Sequence, residues 1–218
     1  PMIIHTLKRT CLAKSLDDIY VVTDSEIIKT LVESHQGNII MTSQDHQTGS
    51  DRLAEASTHV EADIIVNIQG DEALVNPEHI DASVKGLIES AAEVSILLTQ
   101  FNKKQSYSDI KAVVNLKNEI MYLSRSDIPS DSRVPIEHSL KAYHVVSFRK
   151  DFLITYSELE KTPLEKIEFN EYLRILENGY AIQGVLVNSD AVSVDTYEDL
   201  EYVRKLMLVD KLFETYKP

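Results

Sequence analysis

The stretch "VNIQGDEALV", residues 66–75, is an apolar run that breaks on Gly70, presents Asp71 and Glu72, and turns apolar again. A carboxylate at the end of a strand in an open α/β sheet faces the ligand crevice. A hard cation such as Mg²⁺ is commonly held there by one or two carboxylates together with phosphate oxygens. The plainer alternative is that Asp71 caps a turn and Glu72 is solvated. "VSVDTYEDLE" places Asp195 in the same situation, at the end of a short extended stretch before a helix; taken alone, Asp195 is a helix N-cap. Two strand-end aspartates that met across one cleft would have the geometry that metal-assisted phosphoryl or nucleotidyl transfer requires.

"DHQTGSDR", 45–52, is a polar loop with a glycine, hydroxyls and Arg52 just before a helix. Its backbone N–H groups could receive a base edge or an anion, or it is a capped helix start with a surface arginine. His46 by itself reads as a polar loop residue. "SRSDIPSDSR" brings Arg125 and Arg133 around a proline turn, with Lys141 after it. Arginine suits bidentate recognition of a carboxylate, and solvated surface arginines are the alternative. No His/Cys cluster has zinc-ligand spacing. There is no Walker A or G-x-S-x-G motif.

The elements that must position these residues alternate. Residues 2–14 put Ile3, Ile4, Leu7, Cys11 and Leu12 on one helical face. "DIYVVTD" reads as a strand, "SEIIKTLVESHQG" as a helix capped by Ser25, "NIIMT" as a strand, and "GSDRLAEASTHV" as a helix with Ser50 as candidate cap. "ADIIVNIQ" is a strand and "PEHIDASVKGLIES" a helix that begins on proline. Runs that are apolar throughout predict a Rossmann-like α/β fold, a mostly parallel sheet covered by helices on both faces. In the second half "VSILLTQF" is a strand, 112–125 a hairpin split at Lys117-Asn118, 126–139 a long loop, and "KAYHVVSF" a strand. Helices follow over "RKDFLITYSELE" and towards Gly179, then the strand "AIQGVLVN" and one long helix, 196–216. A single domain, 1–218, is expected.

The 22 Lys and Arg stand against 35 Asp and Glu, a formal charge of -13. That surplus argues against a surface that neutralises nucleic-acid phosphates. The lone Cys11 cannot form an internal disulfide. No apolar run approaches the roughly 20 residues of a membrane span, and the N-terminal segment lacks the order of a signal peptide. A cytoplasmic location is expected.

Taken together, "HQTGSDR", "VNIQGDE", "LSRSDIP", "PLEKIE" with "LRILENG", and "VDTYEDLE" resemble, in order and spacing, the cytidylyltransferases that activate 3-deoxy-manno-octulosonate (KDO). The opening "PMIIHTLKRT" to "DDIYVVTD" is similar to the segment that follows that family's phosphate-binding loop, so a strand and a loop bearing Arg, Ser, Gly and Lys are expected to precede Pro1. The resemblance implies transfer of CMP from CTP to the anomeric hydroxyl of a 2-keto sugar acid, with release of pyrophosphate and Mg²⁺ as cofactor. It implies that Asp71 and Asp195 are catalytic metal ligands. Gln69, Thr48, Gly49, Ser50, Asp51 and Arg52 fall on the nucleotide side, and Arg133, Lys141 and Glu168 on the acceptor side. A homodimer formed through 112–149 is implied as well. Ala73 stands where the family usually has proline, "KAYHVVSF" replaces a usual His-Ile-Gly-Ile-Tyr segment, and Tyr172 stands where a glutamine is usual. Another acidic sugar, such as 8-amino-KDO, and an inactive nucleotide-binding homologue are the alternatives.

Overall fold

The computed structural model describes residues 1–46, 48–189 and 192–217. In chain order the elements are α1 (Met2–Thr10), β1 (Tyr20–Thr23), α2 (Glu26–Ser34), β2 (Asn38–Met41), α3 (Gly49–Ser57), β3 (Ile64–Ile68), α4 (Pro77–Ile88) and β4 (Val94–Phe101). They continue with β5 (Lys111–Val114), β6 (Ile120–Ser124), β7 (Ser139–Arg149), α5 (Lys150–Glu158), α6 (Pro163–Glu168), α7 (Leu173–Glu177), β8 (Ile182–Leu186), α8 (Tyr197–Met207) and α9 (Phe213–Tyr216). Two compact units result: Pro1–Ala62 with Ile68–Asp81 and Asp190–Pro218, and Asp63–Asn67 with Ala82–Ser189.

The first unit is built on β1 and β2, paired in parallel with Tyr20 opposite Asn38 and Thr23 opposite Met41. The Ser25 hydroxyl accepts from the Ile28 N–H, so the cap expected for α2 forms. Ile4, Leu7, Val21 and Val32 are the buried centre, with Ile28, Leu31 and Ile39 packed on it. This is the apolar face that the helical spacing of α1 and α2 foretold. α1, however, ends at Thr10. Cys11 is exposed and Leu12 largely so, because they lie past the last turn. The long C-terminal helix is two helices, α8 and α9, interrupted where the Asp210 side chain accepts from the Leu212 N–H.

The second unit holds a six-stranded sheet in the order β6-β5-β7-β4-β8, with β3 paired to β7. The first six residues of β4 are buried, as a strand covered on both faces requires. The α/β class stands, with a sheet flanked by helices, but the sheet is mixed. β4 runs parallel to β8 and antiparallel to the long strand β7, and β5 is antiparallel to both β6 and β7. Apolar continuity signals burial on two faces and carries no information on direction; the β5–β6 hairpin and the return of the chain through β7 set it. Within this unit α4 lies close to the sheet. Ser83 shares hydrogen bonds with Ser95 and Ser147, all three fully buried, and a Cβ on Gly86 would fall 2.3 Å from a Val185 methyl.

No helix among the described residues is long and apolar enough to cross a membrane.

Candidate active site

β3 ends at Ile68, and a tight turn follows in which the Glu72 N–H donates to the Gln69 carbonyl, 3.1 Å, and the Val75 N–H to the Glu72 carbonyl, 3.0 Å. The turn is held from two directions. From α1, the Thr6 hydroxyl donates to the Gly70 carbonyl, 3.0 Å. Arg9, buried, donates to the carbonyls of Val75, 2.6 Å, and Leu74, 3.1 Å, and pairs with Asp210. From the stretch before α8, the Val194 N–H donates to the Asp71 carbonyl, 3.3 Å, and the Ser193 hydroxyl donates to a Glu72 carboxylate oxygen. Asp71 and Asp195, distant in sequence, are thus carried by two segments joined to each other.

The alternatives left open by the sequence resolve in opposite ways. Asp195 is not the helix cap: Thr196 is, in a reciprocal box with Asp199. Asp195 is exposed, one residue before that cap. Glu72, solvated in the plainer alternative, is instead fully buried. Oδ1 of Asp71 is inaccessible to solvent.

The loop before α3 is tied to the strand ends of the same unit. Thr48, not Ser50, caps α3, its hydroxyl accepting from the Asp51 N–H, 3.2 Å. Gly49 begins the helix with open space around the position of a Cβ. Ser50 is completely buried, and its hydroxyl has no hydrogen-bond partner among the described residues. Asp51 is the acidic residue of the first turn, where the helix dipole favours it. Arg52 donates to the Thr42 hydroxyl, 2.7 Å, the Ser43 carbonyl, 3.2 Å, and Asp24, 3.1 Å. Its guanidinium therefore fastens the ends of β1 and β2 together. His46, read as a plain loop residue, pairs with Glu55 of α3. The hydrogen bond from His46, then that from the Ser43 N–H, holds the Glu55 carboxyl below the usual carboxylate range. Gln47 of this loop lies outside the described residues.

In the second unit the acceptor-side candidates divide. Glu168 accepts from the Ser124 hydroxyl, 2.6 Å, the Arg125 N–H, 2.8 Å, and the Tyr122 hydroxyl, 3.2 Å. Burial pushes its carboxyl up, but these hydrogen bonds outweigh that and leave it below the usual carboxylate range. The Arg125 guanidinium donates to the carbonyls of Tyr107, Ser108, Glu168 and Phe169. Lys141 pairs with Asp109 and lies 5.5 Å over the Phe101 ring. Between the two stands a residue that the sequence reading missed. Lys111 is buried, and its ammonium donates to the carbonyls of Ser106, 2.6 Å, Asp109, 2.8 Å, and Arg125. Burial draws that ammonium below the usual lysine range, against the pull of Asp127 and Asp109. Lys141 and Glu168 thus share one network, while Arg133 lies exposed on the loop before β7, outside it. Tyr172 is buried with its hydroxyl hydrogen-bonded to Asn67 of β3.

Arg9 and Ser193 gave no sequence signal because each acts on backbone or side chains far along the chain. For Lys111 the available signal is local: a lysine heads the apolar run "KAVV".

Among the described residues no three His, Cys, Asp or Glu side chains form a group that could hold a metal ion. What the first unit offers is two hard oxygen donors on joined segments. That set fits a cation completed by phosphate oxygens and water, as Mg²⁺ prefers, rather than a cage made wholly of protein ligands.

A cytidylyltransferase family model matches residues 1–184. The chain is 37% identical over 212 residues to a 3-deoxy-manno-octulosonate cytidylyltransferase of Syntrophotalea carbinolica, across 91% of this chain and 85% of that protein. It is also 37% identical over 223 residues to one from Francisella tularensis, across 96% and 89%. Among solved structures, a CMP:2-keto-3-deoxy-manno-octonic acid synthetase complexed with CTP superposes with a TM-score of 0.92 at 34% identity, across 95% of this chain and 88% of that one. The inositol-1-phosphate CTP transferase of T. maritima, at 12% identity and a TM-score of 0.67, shares the fold.

Proposed function

The chain belongs to the 3-deoxy-manno-octulosonate cytidylyltransferase family, and from that premise we propose that it transfers CMP from CTP to the anomeric hydroxyl of KDO. The hydroxyl oxygen bonds to the α-phosphorus and gives up its proton to water, the bond from that phosphorus to the bridging oxygen of the β-phosphate breaks, and pyrophosphate leaves. The observation that carries the reading is the link between the Asp71 turn and the Asp195 segment, which puts two carboxylates on segments joined to each other.

Asp71 and Asp195 would hold Mg²⁺, which when bound neutralises triphosphate charge as it develops in the transition state. Gln69 and the 48–52 segment belong to the nucleotide side. The open space at Gly49 and the orphaned Ser50 hydroxyl support that placement. Arg52 acts there indirectly, by holding the ends of β1 and β2. Lys141 and Arg133 are assigned to the acceptor carboxylate and hydroxyls, and Glu168 to positioning the Arg125 end of β6. A single working domain over 1–218 and a cytoplasmic location complete the reading. A homodimer through 112–149 is supported by Leu116, Met121 and Val134, all exposed in that segment, and light scattering at micromolar concentration tests it.

The decisive experiment incubates the full-length protein with CTP, Mg²⁺ and KDO. Pyrophosphate and a CMP-sugar are expected. No pyrophosphate from KDO or from a panel of other 2-keto sugar acids would overturn the reading. Turnover only with another acid, 8-amino-KDO included, would move the acceptor. The buried Tyr172–Asn67 pair, at a position where the family usually has glutamine, favours including that acid in the panel.

A further inference from the structure

Glu72 is a fully buried carboxylate next to Asp71. An ionisable group is costly to bury unless its oxygens are hydrogen-bonded, and one oxygen of Glu72 receives the Ser193 hydroxyl. The next residue, Val194, donates its N–H to the Asp71 carbonyl, 3.3 Å. Two residues further on, Thr196 is locked to α8: its hydroxyl accepts from the Asp199 N–H, 3.1 Å, and its N–H donates to the Asp199 carboxylate, 2.9 Å. Asp195 is therefore the single residue between two anchored neighbours. Its direction is set by where Ser193 and Val194 are held. The Asp71 side of the same pair is fixed independently by Thr6 and Arg9 of α1, which grip Gly70, Leu74 and Val75.

We infer that Glu72 is a positioning residue: through the Ser193 hydroxyl it holds the 193–195 segment against the Asp71 turn and so sets the spacing of the Asp71 and Asp195 carboxylates. The inference rests on the proposed cytidylyl transfer and names a part of that site which touches neither substrate nor metal. A hydroxyl donating to a buried carboxylate suits this task. The bond is directional, and any side-chain oxygen at that place can accept it. Thr6 and Arg9 hold the carbonyls of the turn itself and not the 193–195 segment.

The test uses the full chain with Ser193→Ala, Glu72→Ala and Glu72→Gln. Two measurements are made: hydrogen exchange of the Val194 amide in ligand-free protein, and steady-state kinetics at varied Mg²⁺ and CTP. Ser193→Ala and Glu72→Ala should speed Val194 exchange about tenfold, the equivalent of one hydrogen bond. They should raise the Mg²⁺ concentration for half-maximal rate and lower kcat by a similar factor, with KM for CTP unchanged. Glu72→Gln should restore all three values, because its amide oxygen still accepts from Ser193. Ser193→Ala removes one hydroxyl from a half-buried residue, so it tests the proposal even where Glu72→Ala fails to fold. A wild-type Mg²⁺ midpoint and kcat in Ser193→Ala would overturn the positioning role and leave the cytidylyl transfer standing. Equal damage from Glu72→Gln and Glu72→Ala would also overturn it, since the charge itself would then be what matters. An inactive wild type would overturn the proposed function, and this inference with it.

Discussion

The peptide N–H of Val194 donates to the carbonyl oxygen of Asp71, 3.3 Å away, so the turn after β3 and the stretch before α8 are joined one residue from Asp195. Replacing either carboxylate by an amide keeps the backbone link and removes a hard, charged ligand. Asp71→Asn and Asp195→Asn should each lower kcat for pyrophosphate release by roughly a hundredfold or more. Equilibrium CTP binding without metal should stay within a few fold. A near-normal rate in either variant would show that its carboxylate is not a metal ligand.

Arg52 holds Asp24, Thr42 and Ser43 at once through a planar fork. Lysine keeps the charge but offers one compact ammonium. Arg52→Lys should therefore let the β1 and β2 loops separate and raise KM for CTP about tenfold, on the scale of one charge-assisted hydrogen bond. Titration with a non-hydrolysable CTP analogue is the check. Unchanged affinity would make Arg52 a surface residue in effect.

Gly49 and Gly184 should respond differently to alanine. A Cβ on Gly184 would sit 2.8 Å from the Asn118 carbonyl oxygen and 2.7 Å from a Leu98 methyl. Gly184→Ala should then destabilise by about 1–3 kcal/mol, the usual cost of overpacking, seen as a lower melting temperature. At Gly49 an added Cβ would meet no atom of the described residues beyond its chain neighbours within 4 Å. Gly49→Ala should melt like the wild type, and a raised KM for CTP in that variant would show that the ligand's approach is what needs the glycine.

Arg174 and Glu165 form a bidentate ion pair, 2.9 and 2.6 Å, both residues buried, with Tyr156 beneath the guanidinium at 4.8 Å. Removing one partner strands the other charge. Arg174→Ala should cost roughly 3–5 kcal/mol of stability, whereas Arg174→Met with Glu165→Leu should cost much less. Chemical denaturation of the two variants distinguishes these outcomes, and equal losses would refute the stranded-charge account.

Acid should weaken the second unit in a defined direction. Glu168 and Asp109 are both held below their ordinary range: burial opposes this, but hydrogen bonds from Ser124 and Arg125 in one case, and from Lys141 and Ser106 in the other, prevail. A group whose folded pKa is depressed adds stability above its unfolded pKa, about 4.3 for Glu and 3.9 for Asp. That stability is lost as pH falls through the folded value. The melting temperature should hold above about pH 5 and drop below about pH 4, and Glu168→Gln should flatten the drop. An acid limb unchanged in that variant would assign it to other carboxylates.

By itself the sequence determined the order of the elements and the class of the fold, because helical and strand periodicity and caps such as Ser25 are local properties. It also marked Asp71, Asp195 and the 48–52 loop, since a strand that stops on a carboxylate and a glycine loop before a helix are visible in a few residues. Strand direction within the sheet, the burial of Glu72 and the roles of Arg9, Lys111 and Ser193 belonged to tertiary structure. Each of these depends on a partner far along the chain: Glu72 on Ser193, Arg9 on Val75 and Asp210, Lys111 on the Arg125 carbonyl. A polar side chain shows its type in the sequence, but which buried carbonyl or hydroxyl satisfies it is settled only when the chain brings the two together.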